Sequence, residues 1–148
     1  MEIVVIGTEP PCIRCHTTLK RAKEVAEQFP ERIDVRRIGL HSEEARKYGR
    51  VMEGPEVEKV GNVKPDLDRL HKLLAELDEL KANEEKNESL IDTKLKELQQ
   101  VIKPVEDKAR ELGILMTPVF VVNGKVKSMG YPPSKDEIRG WIEIELRR

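Results

Sequence analysis

The chain has 148 residues, with 27 Lys+Arg against 28 Asp+Glu, a net charge of −1, and only 3% aromatic residues. That length suits one domain or one small domain with an excursion, and the balanced charge and scarce aromatics speak against a nucleic-acid-binding field or a base-stacking platform. No stretch approaches the ~20 apolar residues of a membrane span, and the opening apolar run is too short for a signal peptide, so no membrane association and a cytoplasmic location are expected.

The run Ile3-Val4-Val5-Ile6 is continuous and β-branched, as in a strand buried on both faces. Glu9-Pro10-Pro11 breaks it. From Cys12 a helical pattern begins, with Cys15, Leu19, Ala22, Ala26 and Phe29 on one face, and Pro30 stops it. Ile33, Val35 and Ile38 mark a second strand. Strand, helix and strand within about 35 residues form a βαβ unit with a right-handed crossover.

Residues 42–48 read as a short helix and 49–65 as a loop. Leu67, Leu70, Leu74 and Leu77 form one apolar stripe, and Ile91, Leu95, Leu98, Ile102 and Val105 form another. The two share one heptad register, with Lys81, Glu84 and Glu88 in the seam. The pattern fits either a long dimerising coiled-coil helix or a hairpin bent near 83–87. Ser89 and Asp92, read as a capping box, favour the hairpin, which is expected over 66–103. Glu84-Glu85-Lys86 reads as a solvated turn. A segment from Val105 to Leu112 ends at Gly113 as a C-cap. Ala45-Arg46, Gly49 and Met52 repeat the spacing of Ala109-Arg110, Gly113 and Met116.

Val119-Phe120-Val121-Val122 is a strand, Asn123-Gly124 a two-residue hairpin turn, and 125–129 the returning strand. Ser134 and Glu137 form a capping box for a last helix anchored by Ile138, Trp141 and Ile142.

Chemistry concentrates at Cys12-Ile13-Arg14-Cys15. In the cytoplasm thiols are mostly reduced, so a close pair points to catalysis or metal binding rather than a structural staple. Cys12 falls at the helix start, where free N–H groups, the helix dipole and Arg14 favour its thiolate, the attacking species in disulfide exchange. Cys15 lies deeper, on the apolar face. Pro11, Arg14 and His16 flank the pair and are expected to modulate it.

With these elements in place, the chain resembles the thioredoxin superfamily, in particular its small glutaredoxin-like redox-disulfide branch. The resemblance rests on strand 3–6, the CxxC motif, the helix to Phe29, Thr117-Pro118 ahead of a strand, the Asn123-Gly124 hairpin and the closing helix. It implies that Cys12 is the nucleophile and Cys15 the resolving thiol. Thr117-Pro118 would be a cis-proline turn facing them, the Thr117 backbone pairing with an extended partner segment. Two departures are plain: Pro10 and Pro11 stand where thioredoxins proper carry a tryptophan, and no carboxylate occupies the middle of the first strand.

The expected fold is therefore α/β and thioredoxin-like, βαβ followed by α-ββ-α. The redox domain comprises 1–40 and 105–148, and 41–104 form a mostly helical insertion. The expected function is thiol–disulfide exchange with a disulfide- or dithiol-containing protein partner, without a cofactor, the insertion setting partner choice or a homodimer. The alternatives are a metal or iron–sulfur site through the CxxC, haem attachment through Cys12-Ile13-Arg14-Cys15-His16, or a non-catalytic interaction module using the insertion. Abundant Lys and Glu with few Asn and Gln give the composition a heat-adapted cast.

Overall fold

The computed structural model describes all 148 residues. Strand β1 (Glu2–Gly7) leads into helix α1 (Ile13–Ala26) and strand β2 (Asp34–Gly39), which lies parallel to β1 with Ile3 opposite Val35. After a long excursion, β5 (Val119–Val122) pairs antiparallel to the other edge of β1, Val4 opposite Val121, and β6 (Lys125–Met129) pairs antiparallel to β5. The sheet order is β2-β1-β5-β6, and α6 (Lys135–Leu146) closes the chain. Asn123 and Gly124 turn the hairpin with φ of 47° and 78°, both in the left-handed region that this pair tolerates. The expected Ser134–Glu137 capping box is present, with both reciprocal hydrogen bonds.

Because side chains alternate across a strand, β1 and β5 feed two cores. Ile3, Val5, Phe120 and Val122 pack with Ala22 and Val25 of α1 and Ile138 and Ile142 of α6. Val4, Ile6, Val119 and Val121 face the other way, into a larger core with the excursion helices. The result is three layers, with both faces of the sheet covered.

The excursion holds α2 (Glu43–Arg46), β3 (Val51–Met52), α3 (Gly54–Gly61), α4 (Leu67–Lys81), α5 (Glu88–Glu111) and β4 (Leu115–Met116). Of the segment read as a loop, 54–61 is thus a helix with Pro55 in its first turn, where a missing N–H costs nothing. β3 and β4 pair parallel, Met52 opposite Met116. This pairing sets the two echoed segments side by side, each a buried alanine followed by a positive-φ glycine and a short strand.

α4 and α5 form a helical hairpin rather than one long helix, and three details differ from the sequence reading. In α4 the deeply buried leucines are Leu73 and Leu77, Leu70 is half-buried, and Leu67 and Leu74 are 42% and 39% exposed. Packing against α5 turns α4 so that Leu70 and Leu74 flank the core instead of filling it. α5 starts at Glu88 after Asn87, and no Ser89–Asp92 box forms; Asp92 is drawn instead to Arg21, 2.9 Å away. Finally, α5 runs unbroken through Pro104, across the expected boundary between 104 and 105. Pro104 lies on the exposed side, so the carbonyl it leaves unpaired faces water, while buried Val101, Ile102 and Val105 carry the helix through on the core side. The C-terminal half of α5 thereby covers the second face of the sheet.

No helix is long and apolar enough to cross a membrane.

Candidate functional site

The site begins where β1 ends. Gly7 must come close to α1: a Cβ there would meet Cys15 Cβ at 3.1 Å and Sγ at 3.2 Å. The missing side chain is what lets the first turn of α1 rest on the strand end. Thr8 then organises the loop. Its hydroxyl accepts the Cys12 N–H at 2.9 Å, donates to the Pro10 carbonyl at 2.9 Å and lies 3.9 Å from Cys15 Sγ. The Glu9–Pro10 peptide is cis. The sequence reading missed both Gly7 and Thr8. The available signal was a Thr-x-Pro-Pro turn directly before the helix, a local motif for a hydroxyl that ties down backbone.

Cys12 is the N-cap of α1, in extended conformation, and its sulfur accepts the Cys15 N–H at 3.4 Å. The two cysteines are free, with Sγ atoms 3.1 Å apart. Cys12 is half-buried and Cys15 only 1% exposed. The two sulfurs are within hydrogen-bonding distance, and their surroundings favour the proton on Cys15 and the negative charge on Cys12. The Cys15 thiol hydrogen bond, the Arg14 charge, the Cys15 N–H and the Thr8 hydroxyl outweigh the cost of burial and bring Cys12 down to about 5. Cys15 is pushed far the other way, first by holding that shared proton and then by burial and the adjacent negative charge. The environments of the two sulfurs thus differ: half-buried Cys12 is favoured as the thiolate, and buried Cys15 as the thiol.

The remaining residues singled out in the sequence are placed as follows. Arg14 is buried, and its guanidinium donates to the Gly130 carbonyl at 2.7 Å. That partner is neutral, so the positive charge stays available to Cys12. His16 does not stand free in solvent: its Nε2 lies 2.9 and 3.1 Å from the two carboxylate oxygens of Glu84, which Lys20 also meets at 3.3 Å. The turn between α4 and α5, read as solvated, is therefore pinned through Glu84 to the start of α1. Pro11 is exposed beside Cys12.

Thr117–Pro118 is a cis peptide, fully buried at Thr117, and Thr117 lines the same groove as Cys12. Its N–H donates to the Met52 carbonyl at 2.9 Å, and its hydroxyl, although buried, has no hydrogen-bond partner. The small β3–β4 sheet thus uses the amide that an added partner strand would otherwise take, leaving only the Thr117 carbonyl for such a strand.

The groove itself has a volume of about 350 Å³ and runs from Cys12 to the excursion helices. Leu70, Leu74, Ile102 and Val105 are among its apolar lining residues, and Glu9, Glu53 and Glu58 are its acidic ones. No group of three His, Cys, Asp or Glu side chains is placed to share a metal ion. His16, the third ligand of a metal reading and the axial ligand of a haem reading, is turned to Glu84.

A family model described as a thioredoxin domain matches residues 81–143. The matched stretch runs from the end of α4 through α5 and the β5–β6 hairpin into α6. It contains Thr117 and Pro118, while Cys12 and Cys15 lie outside it and are brought to it by the fold. No curated protein and no solved structure matches the chain.

Proposed function

We propose, from the thioredoxin-like fold and the match of residues 81–143 to a thioredoxin domain, that the chain is a dithiol–disulfide oxidoreductase of the thioredoxin superfamily acting on protein partners through Cys12 and Cys15. The observation that carries the reading is the pair of sulfurs 3.1 Å apart at a helix N-cap, one favoured as thiolate and the other held as thiol.

The steps follow from that asymmetry. The Cys12 thiolate attacks one sulfur of a partner disulfide; the partner S–S bond breaks, a Cys12–partner S–S bond forms, and the departing partner sulfur leaves as a thiolate that takes up a proton. Once Cys12 is bonded, its negative charge and its pull on the Cys15 proton are gone. Two of the three causes that held Cys15 protonated vanish with them and only burial remains, so Cys15 ionises more readily and attacks Cys12. Two electrons pass to the partner, which leaves as a dithiol, and Cys12–Cys15 becomes the disulfide. The same steps run backwards when a partner dithiol meets the oxidised protein. Within the pair, Arg14 and Thr8 stabilise the attacking sulfur, and Gly7 seats the resolving one.

Single-turnover reaction of the reduced protein with a small neutral disulfide tests the reading. Cys12→Ser is expected to lose the reaction to background, and Cys15→Ser to stop at a mixed disulfide visible by mass. Retained turnover in Cys12→Ser would overturn the assignment.

A further inference from the structure

We propose that the groove beside Cys12 selects partner segments whose reacting cysteine is flanked by basic and apolar side chains, and that the helical excursion is what imposes this choice. The inference rests on the exchange reading above and names its substrate class.

The groove is a composite. Cys12, Thr117 and Glu9 come from the sheet domain, whereas Glu53, Glu58, Leu70 and Leu74 come from the excursion. Three carboxylates line it, and none of them takes part in an ion pair. The Glu9 carboxylate is folded against Gly39, where a Cβ would come within 1.3 Å of its Oε1. The only cation in the lining is Arg14, whose guanidinium is buried and turned to Gly130. A partner entering toward Cys12 therefore meets carboxylates that no ion pair neutralises, while the two cations near the sulfur, Arg14 and Arg37, are turned to the backbone carbonyls of Gly130 and Thr8.

The same lining holds Leu74, 39% exposed, and half-buried Leu70, together with Ile102 and Val105. Helix packing placed these leucines outside the core proper, and about 350 Å³ is room for two or three side chains, not for a folded element. Unpaired carboxylates facing an open groove favour Lys or Arg on the occupant and repel an anionic one. The apolar side favours an aliphatic side chain next to the occupant's cysteine. An extended cysteine-bearing protein segment of this chemistry meets both demands. A small anionic disulfide such as one built from dicarboxylic thiols meets neither.

Three small disulfides of similar size probe the charge: cationic cystamine, neutral hydroxyethyl disulfide and anionic 3,3′-dithiodipropionate. Single-turnover rates of the full reduced chain are divided by its rate with the neutral reagent, and then by the same ratios for free dithiothreitol, which removes intrinsic reactivity. The cationic ratio is expected to exceed the anionic one by at least tenfold at low salt. The preference should shrink severalfold in 1 M NaCl, where the screening length falls to about 3 Å, and likewise in Glu53→Gln/Glu58→Gln. For the apolar side, a mixed-disulfide peptide with Leu beside its cysteine should outpace its Ser counterpart, and Leu74→Gln should level the two.

Equal cationic and anionic ratios, or a preference untouched by salt and by the double variant, would overturn the proposal while leaving the exchange reading in place. Loss of reaction with the neutral disulfide as well would overturn both, because the groove would then have no reacting sulfur to serve.

Discussion

Two regions meet at the cysteines and are built on different principles. The junction of β1 and α1 is wired by backbone: Gly7 allows the close approach, Thr8 ties the loop, and the helix end presents N–H groups to Cys12. All its parts lie within nine consecutive residues. The α4–α5 hairpin reaches the same site by side chains far apart in sequence, Glu84 to His16 across 68 positions and Asp92 to Arg21 across 71. On the proposed reading, the first region sets what the site does and the second sets what reaches it. Local chemistry is expected to resist change in the hairpin, and selection to resist change in most of the sheet.

The comparison breaks most visibly at the thiolate. Alkylation of reduced protein by iodoacetamide should follow a single ionisation with a midpoint near 5, because Cys12 is lowered to about 5 and Cys15 raised. The group is lowered, so reactivity is full above that midpoint and lost as pH falls through it. A midpoint near the ordinary thiol value of ~8.5 would mean that the junction does not tune Cys12.

Next in size is Gly7→Ala. The added methyl would stand 3.1–3.2 Å from Cys15 Cβ and Sγ, tighter than packing allows. Overpacking of this kind costs about 1–3 kcal/mol. A lowered Tm in denaturation, together with slower resolution of a trapped mixed disulfide, is the expected pair of effects; an unchanged Tm would show that the strand end yields freely.

Arg14→Gln removes the positive charge near Cys12 and keeps a polar side chain. Cys12 should titrate higher, by about one pH unit, which corresponds to ~1.4 kcal/mol. At pH 5 its alkylation then slows severalfold. No shift would remove Arg14 from the account of the thiolate.

Smallest is Glu84→Gln. The His16 and Lys20 contacts are partly exposed, so the loss of stability is expected at about 0–1 kcal/mol. The alkylation midpoint should stay put while faster amide exchange appears over 82–87. A large move of the midpoint would mean that the hairpin tunes the chemistry itself, contrary to the division drawn above.

The same division explains what was legible in the sequence. The buried run 3–6, the cysteine spacing, Asn123-Gly124 and the Ser134–Glu137 box are local patterns whose physics is complete within a few residues, and each element they predict is present. Helical periodicity marked α4 and α5 and their turn. It did not tell which leucines of α4 face the core, because packing against α5 settles the rotation. It read a solvated Glu84, because the two cations that hold Glu84 belong to another helix. The expected boundary between 104 and 105 falls inside α5, where buried residues on either side of Pro104 outweigh one missing hydrogen bond. The groove was invisible for the same reason, since Glu53, Leu74 and Cys12 come together only once the sheet and the excursion are packed.

The most direct test of the central claim is a redox titration of the protein against a dithiol–disulfide buffer, with thiols counted at each step. Two thiols per chain should disappear together along a two-electron curve, a tenfold change in the reduced-to-oxidised ratio for about 30 mV, with the mass of the monomer lowered by two hydrogens. Thiols that oxidise one at a time, or only by linking one chain to another, would contradict an account in which Cys12 and Cys15 act as one exchanging pair.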